Sequence, residues 1–128
     1  MIRTVRLAQI TAVGAAGSGA GSATTTFPVN GLLLRIKITQ GNTPHANTDI
    51  TITITDGLTT DTLLTLIDYD TTTGTWFAVR EFISGVTGTA STTESTPIAI
   101  DGYVTATVAQ GGDAATLDVV IQYEDGRR

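Results

Sequence analysis

The sequence predicts an all-β protein, an antiparallel β-sandwich of jelly-roll type with about eight or nine short strands. In two runs, apolar residues alternate strictly with mostly polar ones. Their apolar members are Ile50, Ile52 and Ile54, and Leu117, Val119, Ile121 and Tyr123. Successive strand side chains point to opposite faces, so each run builds a sheet with one apolar face. Turn signals recur roughly every 8 to 12 residues and no long helical period is present, while an immunoglobulin-like strand order stays open.

The composition is that of one domain spanning residues 1–128, with a net charge of −5 and no cysteine. Without cysteine, disulfides, thiolate metal sites and cysteine nucleophiles are excluded. The acidic balance argues against a nucleic-acid partner, because phosphate binding depends on clustered Lys and Arg. No apolar stretch approaches the roughly 20 residues of a membrane span, so no membrane partner is expected. Charged residues make up only 15% of the chain, so we expect a polar surface dominated by threonine.

The N-terminal part predicts a strand over residues 2–13, with Val5 and Leu7 on one face and Arg6 on the other. Residues 14–21 are only Gly, Ala and Ser, which offer no side chains for packing. We expect a flexible hairpin tip there, leading into a strand over residues 22–27. The alternative is a hinge that frees the N-terminal segment as an arm.

The clearest predicted strand covers residues 32–39, after Pro28 and the Asn30-Gly31 pair. Its alternation places Arg35 and Lys37 on the outer face. The residues predicted to face inward are Leu32, Leu34, Ile36 and Ile38. A polar loop over residues 40–48 then leads to the Ile-Thr strand over residues 49–55, which ends in a turn at Asp56-Gly57.

The second half of the chain predicts further short strands separated by two polar loops, at residues 68–74 and 84–96. Turns are expected at Asp101-Gly102 and Gly111-Gly112. The predicted strands cover residues 62–67, 75–83, 97–100, 103–109 and 117–123.

No set of residues in the sequence indicates a reaction, so no enzyme, cofactor or metal site is expected. His45 is the only histidine, and a catalytic base or a zinc site needs further partners. The loop at residues 68–74 resembles a calcium loop only superficially, because Thr72 and Val79 stand where an EF-hand needs oxygen ligands. We interpret it as a hairpin loop capped by aspartate side chains. Five further acids lie at strand ends or in turns, where a glycosidase pair is not indicated: Asp49, Asp56, Asp61, Glu81 and Glu94.

Trp76 and Phe77 are adjacent on one predicted strand and therefore point to opposite faces. Only one of them can belong to the main core. The other is either shielded by a loop or buried against a partner chain, which makes Trp76 a candidate contact residue. Trp76 or Tyr103 on an exposed face would also suit a carbohydrate- or receptor-binding module of tail-fibre or adhesin type.

Five segments of the chain resemble small virion structural proteins of tailed bacteriophages. They are IRTVR at 2–6, FPVNGLLLRI at 27–36, TLLTL at 62–66, DGYVTATVAQ at 101–110 and VVIQYE at 119–124. The resemblance implies a head decoration or cement protein that binds the major capsid protein, often as a trimer. It also implies a location in the virion, after assembly in the host cytoplasm, and no catalytic residues.

The N-terminal segment is the second candidate contact region with neighbouring subunits or the capsid. An exposed edge strand offers unpaired backbone groups to which another chain can add. We therefore expect Ile2, Arg3, Val5 and Arg6 to contribute contacts, together with the loop at residues 14–21. A small hydrolase is the weakest alternative, because no pair of ionisable groups is evident.

Overall fold

The computed structural model describes residues 1–84 and 90–126, and this part of the chain holds ten strands and no helix. The strands are β1 Ile2–Arg6, β2 Ile10–Thr11, β3 Gly19–Thr24, β4 Val29–Gly41, β5 Asp49–Thr55, β6 Thr60–Leu66, β7 Thr75–Phe77, β8 Arg80–Ser84, β9 Ala90–Gly111 and β10 Thr116–Glu124. The prediction of an all-β protein is confirmed.

The strands pair antiparallel throughout the described residues. One sheet has the order β1–β10–β4–β7, with the short β2 also beside β10. The other has the order β3–β9–β5–β6. β8 forms a hairpin with the first part of β9. Apolar residues of both sheets share one core cluster, so the architecture is sandwich-like; the jelly-roll connectivity stays a prediction.

Strand β9 belongs to both sheets. Residues 98–102 pair with β4, and residues 103–111 pair with β5 and β3. Gly102 lies where the strand passes between them, with a φ of 144°, and a Cβ there would collide with the carbonyl oxygen of Thr55. The predicted turn at Asp101-Gly102 is therefore wrong: glycine bends a continuous strand at this point.

The predicted loop at residues 84–96 is also partly wrong. Residues 90–96 belong to β9 and pair with β8, while residues 85–89 lie outside the described part of the chain. Sequence periodicity cannot detect a strand made of polar residues without alternation. Such a strand still forms, because strand pairing satisfies the backbone groups of polar and apolar residues alike. The strand predicted over residues 75–83 is divided into β7 and β8.

The core confirms the alternation in β5 and β10. Ile50 and Ile52 are fully buried, and so is Ile121 in the facing sheet. The other inward members of both runs are also buried: Ile54, Leu117, Val119 and Tyr123. Burying each such aliphatic side chain stabilises the fold by about 1.5–3 kcal/mol before entropy is counted. The two apolar faces therefore supply most of what holds the sheets together.

The alternation predicted for β4 is wrong in its first half. Leu33 is fully buried, whereas Leu32 is 43% exposed and Leu34 is half-buried. The cause is a β-bulge, because Gln122 pairs with Arg35 while Tyr123 pairs with Leu33, which leaves Leu34 without a partner. One extra residue in a strand exchanges the inward and outward orientation of the side chains that precede it. Beyond the bulge, Ile36 and Ile38 are buried as predicted.

The N-terminal segment pairs within its own chain. β1 runs antiparallel to β10, and the strand predicted over residues 2–13 is interrupted between β1 and β2. The predicted hairpin forms between β2 and β3: Val13 bridges Ala20, and the Gly17 N–H donates to the Gly111 carbonyl at 3.0 Å. Residues 19–21 of the small-residue segment belong to β3. Its flexibility stays a prediction.

Candidate functional site

Trp76 lies on the outer face of the first sheet. The register pairs Trp76 with Lys37 and Phe77 with the buried Ile36. Phe77 packs against the core, and its ring meets Tyr69 edge-to-face with centroids 6.0 Å apart. The prediction that only one of the two neighbouring aromatic residues enters the core is confirmed, and that residue is Phe77.

Two cations surround the Trp76 ring. The guanidinium carbon of Arg35 lies 4.0 Å from the ring centroid, and Nζ of Lys37 lies 5.7 Å from a ring centroid of the same side chain. Cations within about 6 Å of an aromatic centroid are attracted by the ring quadrupole. Arg35 also donates through Nε to Oε1 of Gln122 at 2.7 Å. The Arg35 side chain is thus held in place on two sides.

These side chains form a continuous surface across four strands. Trp76, Lys37, Val120 and Arg6 occupy one cross-strand row, and Arg35 and Gln122 begin the next. We call Trp76, Arg35, Lys37, Val120 and Gln122 the tryptophan face. Adjacent strands lie about 4.8 Å apart, so the row spans about 14 Å from β7 to β1.

The tryptophan face is locally positive on an acidic protein. Arg35, Lys37 and the neighbouring Arg6 form no ion pair within the described part of the chain, whereas Arg3 pairs with Asp125 at 2.6 Å. Asp118 and Glu124 lie on the same strand as Val120 and flank the face on either side. The Asp118 carboxylate accepts a hydrogen bond from Gln9 at 3.2 Å. The cations therefore lie at the centre and the acids at the margin.

The outer face of the second sheet differs in chemistry. Two cross-strand rows cover it: Thr65, Thr51, Thr107 and Ser22, then Thr62, Thr53, Thr105 and Thr24. We call these eight residues the threonine face. The hydroxyls of Thr24 and Thr105 are 2.8 Å apart and share a hydrogen bond. Neither row contains a charged residue. Tyr103 lies beyond the second row and is 43% exposed.

The N-terminal contact residues differ in how much of each side chain reaches solvent. Ile2 is 63% exposed and Arg6 is also exposed, while Val5 is buried in the core. Arg3 is held by Asp125, which raises the pKa of Arg3 through its hydrogen bond and charge. A partner on the outer face of this strand would therefore meet the side chains of Ile2 and Arg6, whereas the Val5 side chain is turned into the core.

His45 lies in a loop beside a surface cleft of about 500 Å³ whose walls include Asn42, Pro44 and Asp113. Its Nδ1 accepts a hydrogen bond from the Asn47 N–H at 3.1 Å. Within residues 1–84 and 90–126, no group of three or more His, Asp or Glu residues could hold a metal ion. His45 thus has a local structural contact that holds its loop.

The acids of the turns cap backbone groups. Asp49 accepts from the Asp68 N–H at 3.1 Å and from the Gln110 side chain at 2.9 Å. Asp56 accepts from the N–H groups of Leu58 and Thr59, both at 2.8 Å, and these bonds lower the pKa of Asp56. The aspartate that caps residue 68 thus comes from β5. The side chains of Glu81 and Glu94 lie outside the described part of the structure.

No family model, curated protein or solved structure matches the chain. The described residues also include no helix with the length and hydropathy of a transmembrane segment. The site is therefore interpreted from its own geometry. Alternation placed Arg35 and Lys37 on an outer face, but only the pairing of β4 with β7 brings them to Trp76. Gln122 carried no signal in the sequence that distinguished it from other strand residues.

Proposed function

We propose that this protein is a non-enzymatic structural protein of a phage particle. In this proposal it is a head decoration protein that binds the major capsid protein and stabilises the shell. The observation that carries the proposal is the tryptophan face, where Trp76 is stacked with Arg35. Trp and Arg are the residues most enriched at the energetic centres of protein interfaces. The resemblance of the sequence to virion structural proteins supplies the identity of the partner.

The tryptophan face suits attachment because its side chains are already ordered. Arg35 is fixed by Trp76 and Gln122 before any partner arrives. Binding then costs less side-chain entropy than it would for a free arginine. The paired strands beneath it distribute the contact over β7, β4 and β10. We expect attachment to weaken with salt, since the cations would face acidic groups of the shell.

We also infer jelly-roll connectivity from the strand order. Leaving aside β2 and β8, eight strands divide into β1–β10–β4–β7 and β3–β9–β5–β6. An eight-stranded double sheet built from two Greek keys has this alternation between layers. The fold itself does not determine function. It supplies a rigid support for contact surfaces on its outside.

The direct test is binding to shells assembled from the major capsid protein of the same phage, followed by imaging. Wild-type protein should occupy regular positions on the shell. Trp76→Ala should lose most of that occupancy, by about 2 kcal/mol of binding free energy or more. Thr51→Val on the threonine face is the matched control and should bind normally. Failure of the wild type to bind, or full binding by Trp76→Ala, would overturn the proposal.

The proposal favours a trimer. Size-exclusion chromatography with light scattering should give three times the chain mass of 13.3 kDa. A mass equal to one chain at high concentration would contradict the trimer while leaving attachment to the shell to be judged by imaging.

A carbohydrate- or receptor-binding module is the second candidate. Arg35 already covers one face of the Trp76 ring, so the better platform for stacking a sugar is Tyr103, which is 43% exposed. A glycan array would separate the two functions. Sugar binding that is lost in Tyr103→Ala and kept in Trp76→Ala would favour this candidate over decoration.

A further inference from the structure

β1 is an edge strand of the first sheet, and alternate residues along it hydrogen-bond to β10. The Leu7 N–H donates to the Val119 carbonyl at 3.0 Å, and the Asp125 N–H donates to the Met1 carbonyl at 3.1 Å. Both pairs continue the register of β1 with β10. Hydrogen-bonded and non-hydrogen-bonded pairs alternate in an antiparallel ladder. Arg3 and Val5 therefore hydrogen-bond to β10, with the same parity as residues 1 and 7.

The even-numbered residues of β1 point their backbone groups the other way. The N–H and C=O groups of Ile2, Thr4 and Arg6 are directed away from β10, at the edge of the sheet. Within residues 1–84 and 90–126, no backbone group pairs with them there. Three donor–acceptor pairs at every second residue match the backbone of an added strand.

A cleft of about 360 Å³ runs beside this edge. Arg3, Thr4 and Val5 line it together with Tyr123, which lies opposite Arg3 on β10, so the cleft lies beneath the inward face of β1 and β10. The opposite wall is formed by Phe27 and Pro28, which lead from β3 into β4. The Phe27 side chain is 48% exposed, so the wall presents apolar surface to whatever enters the cleft.

The charges along the cleft and edge differ between the two ends of β1: Glu124 is exposed on β10 opposite Ile2, and Arg6 lies at the other end. Asp125 lines the cleft, but its carboxylate is bound to Arg3 at 2.6 Å and lies 3.6 Å from the amino group of Met1. Arg6 forms no ion pair within the described part of the chain. An incoming chain would therefore be favoured if it carried a carboxylate near Arg6 and an apolar side chain facing Phe27.

We propose that the β1 edge and its cleft bind an extended, acidic peptide segment of a partner protein, which adds to the first sheet as a further strand. The backbone of the segment hydrogen-bonds to Ile2, Thr4 and Arg6. One of its apolar side chains occupies the cleft against Phe27. This site adjoins the tryptophan face at Thr4 and Arg6 but uses the backbone edge of β1, and it does not depend on the proposed decoration function.

The probe is a blocked heptapeptide in which valine alternates with threonine and glutamate. Amide hydrogen exchange of the whole protein, followed by NMR, reports on each residue of β1. With saturating peptide, the amides of Ile2, Thr4 and Arg6 should exchange at least about tenfold more slowly. Those of Arg3 and Val5 should change little, because they are already bonded to β10. Slower exchange at every second amide of β1 indicates backbone pairing, because a peptide that contacted only side chains on one face of the sheet would not produce it.

Thr4→Pro removes one outward N–H without removing a bond to β10, since proline is tolerated where a strand N–H faces solvent. It should abolish peptide binding, whereas Thr4→Val should keep it. Phe27→Ala should weaken binding about tenfold, corresponding to about 1.4 kcal/mol. Replacing the glutamates of the probe with lysine should also weaken binding.

Three outcomes would overturn the proposal. The first is no change in exchange at millimolar peptide. The second is protection that is uniform along β1 or confined to the tryptophan face. The third is protection of the same amides without peptide that grows with protein concentration, which would identify a second copy of this chain as the occupant. Thr4→Pro and Thr4→Val both lose the hydroxyl that accepts from Gln122 of the tryptophan face at 3.4 Å, so comparing the two variants on capsid shells tests the proposed function separately.

Discussion

At the scale of single residues, the bends of the chain depend on glycines and on aspartates that accept backbone hydrogen bonds. Gly102 allows β9 to pass from one sheet to the other with a φ of 144°, a region that other residues rarely adopt. Asp56 closes the turn after β5 by accepting from two N–H groups. Neither residue adds an apolar side chain to the core, yet both determine where the core strands go.

Gly102→Ala should destabilise the protein by more than about 3 kcal/mol, because strain in φ adds to a collision with the Thr55 carbonyl. Gly57→Ala is the matched control, with a φ of 94° and open space around the glycine. It should cost about 1 kcal/mol. Urea unfolding of both variants measures the difference, and equal losses would show that the close approach at Gly102 is unimportant.

Asp56→Ala should lower the free energy of unfolding at neutral pH, and the deficit should disappear in acid. The pKa of Asp56 lies below its ordinary value of 3.8 in the folded protein. Its contribution is therefore present above the unfolded-state pKa and is lost as the pH falls through the folded-state pKa. NMR titration of the carboxyl group, with unfolding measured across the same pH range, checks this. A deficit that stayed constant with pH would contradict it.

At the scale of elements, sequence periodicity succeeded where a strand is regular and failed where it is not. β5 and β10 alternate without interruption, so their inward faces were predicted fully. In β4 the unpaired Leu34 exchanges the inward and outward positions of the residues that precede it. Because residues 32–34 are all leucine, the sequence periodicity cannot locate such a bulge. The continuity of β9 was missed because Asp101-Gly102 has the sequence of an ordinary turn.

Leu33→Ala should cost about 2–5 kcal/mol, since it empties a fully buried position in the core. Leu32→Ala removes a side chain that is 43% exposed and should cost less than about 1 kcal/mol. Unfolding in urea compares the two variants under identical conditions. The opposite order of stabilities would mean that Leu32, and not Leu33, faces the core.

The candidate contact surfaces depend on tertiary pairing and were only partly predictable. The two-residue period of a strand predicts that Trp76 and Phe77 point to opposite faces. It does not predict which of the two enters the core. Arg35 and Lys37 lie about 40 residues before Trp76 in the sequence, and only the β4–β7 register brings them to the indole ring. The cleft beside β1 likewise requires Phe27, whose closeness to Arg3 no local pattern could reveal.

At the scale of the whole molecule, two unlike outer faces enclose one core. The tryptophan face gathers cations around an aromatic ring, and the threonine face presents neutral hydroxyls and methyls. The core cluster draws on both sheets, and β9 contributes backbone pairing to each. The sheets therefore form a single structural unit that neither could maintain alone.

Unfolding should follow a single cooperative transition. Calorimetric and van't Hoff enthalpies should agree, as they do for two-state domains of this size. In native-state hydrogen exchange, the amides of Ile36 in the first sheet and Ile52 in the second should report the same global free energy. Two resolved transitions, or a lower value for one whole sheet, would show that the layers open independently.

The passage of β9 between the sheets also affects how the molecule carries mechanical load. A force that pulls the two layers apart meets a covalent chain bonded into both, in addition to the side-chain contacts of the core. Separation then requires rupture of the backbone hydrogen bonds of β9 with β4, or of those with both β3 and β5. We therefore expect resistance to separation of the two sheets to be strongest near Gly102, where β9 crosses from one sheet to the other.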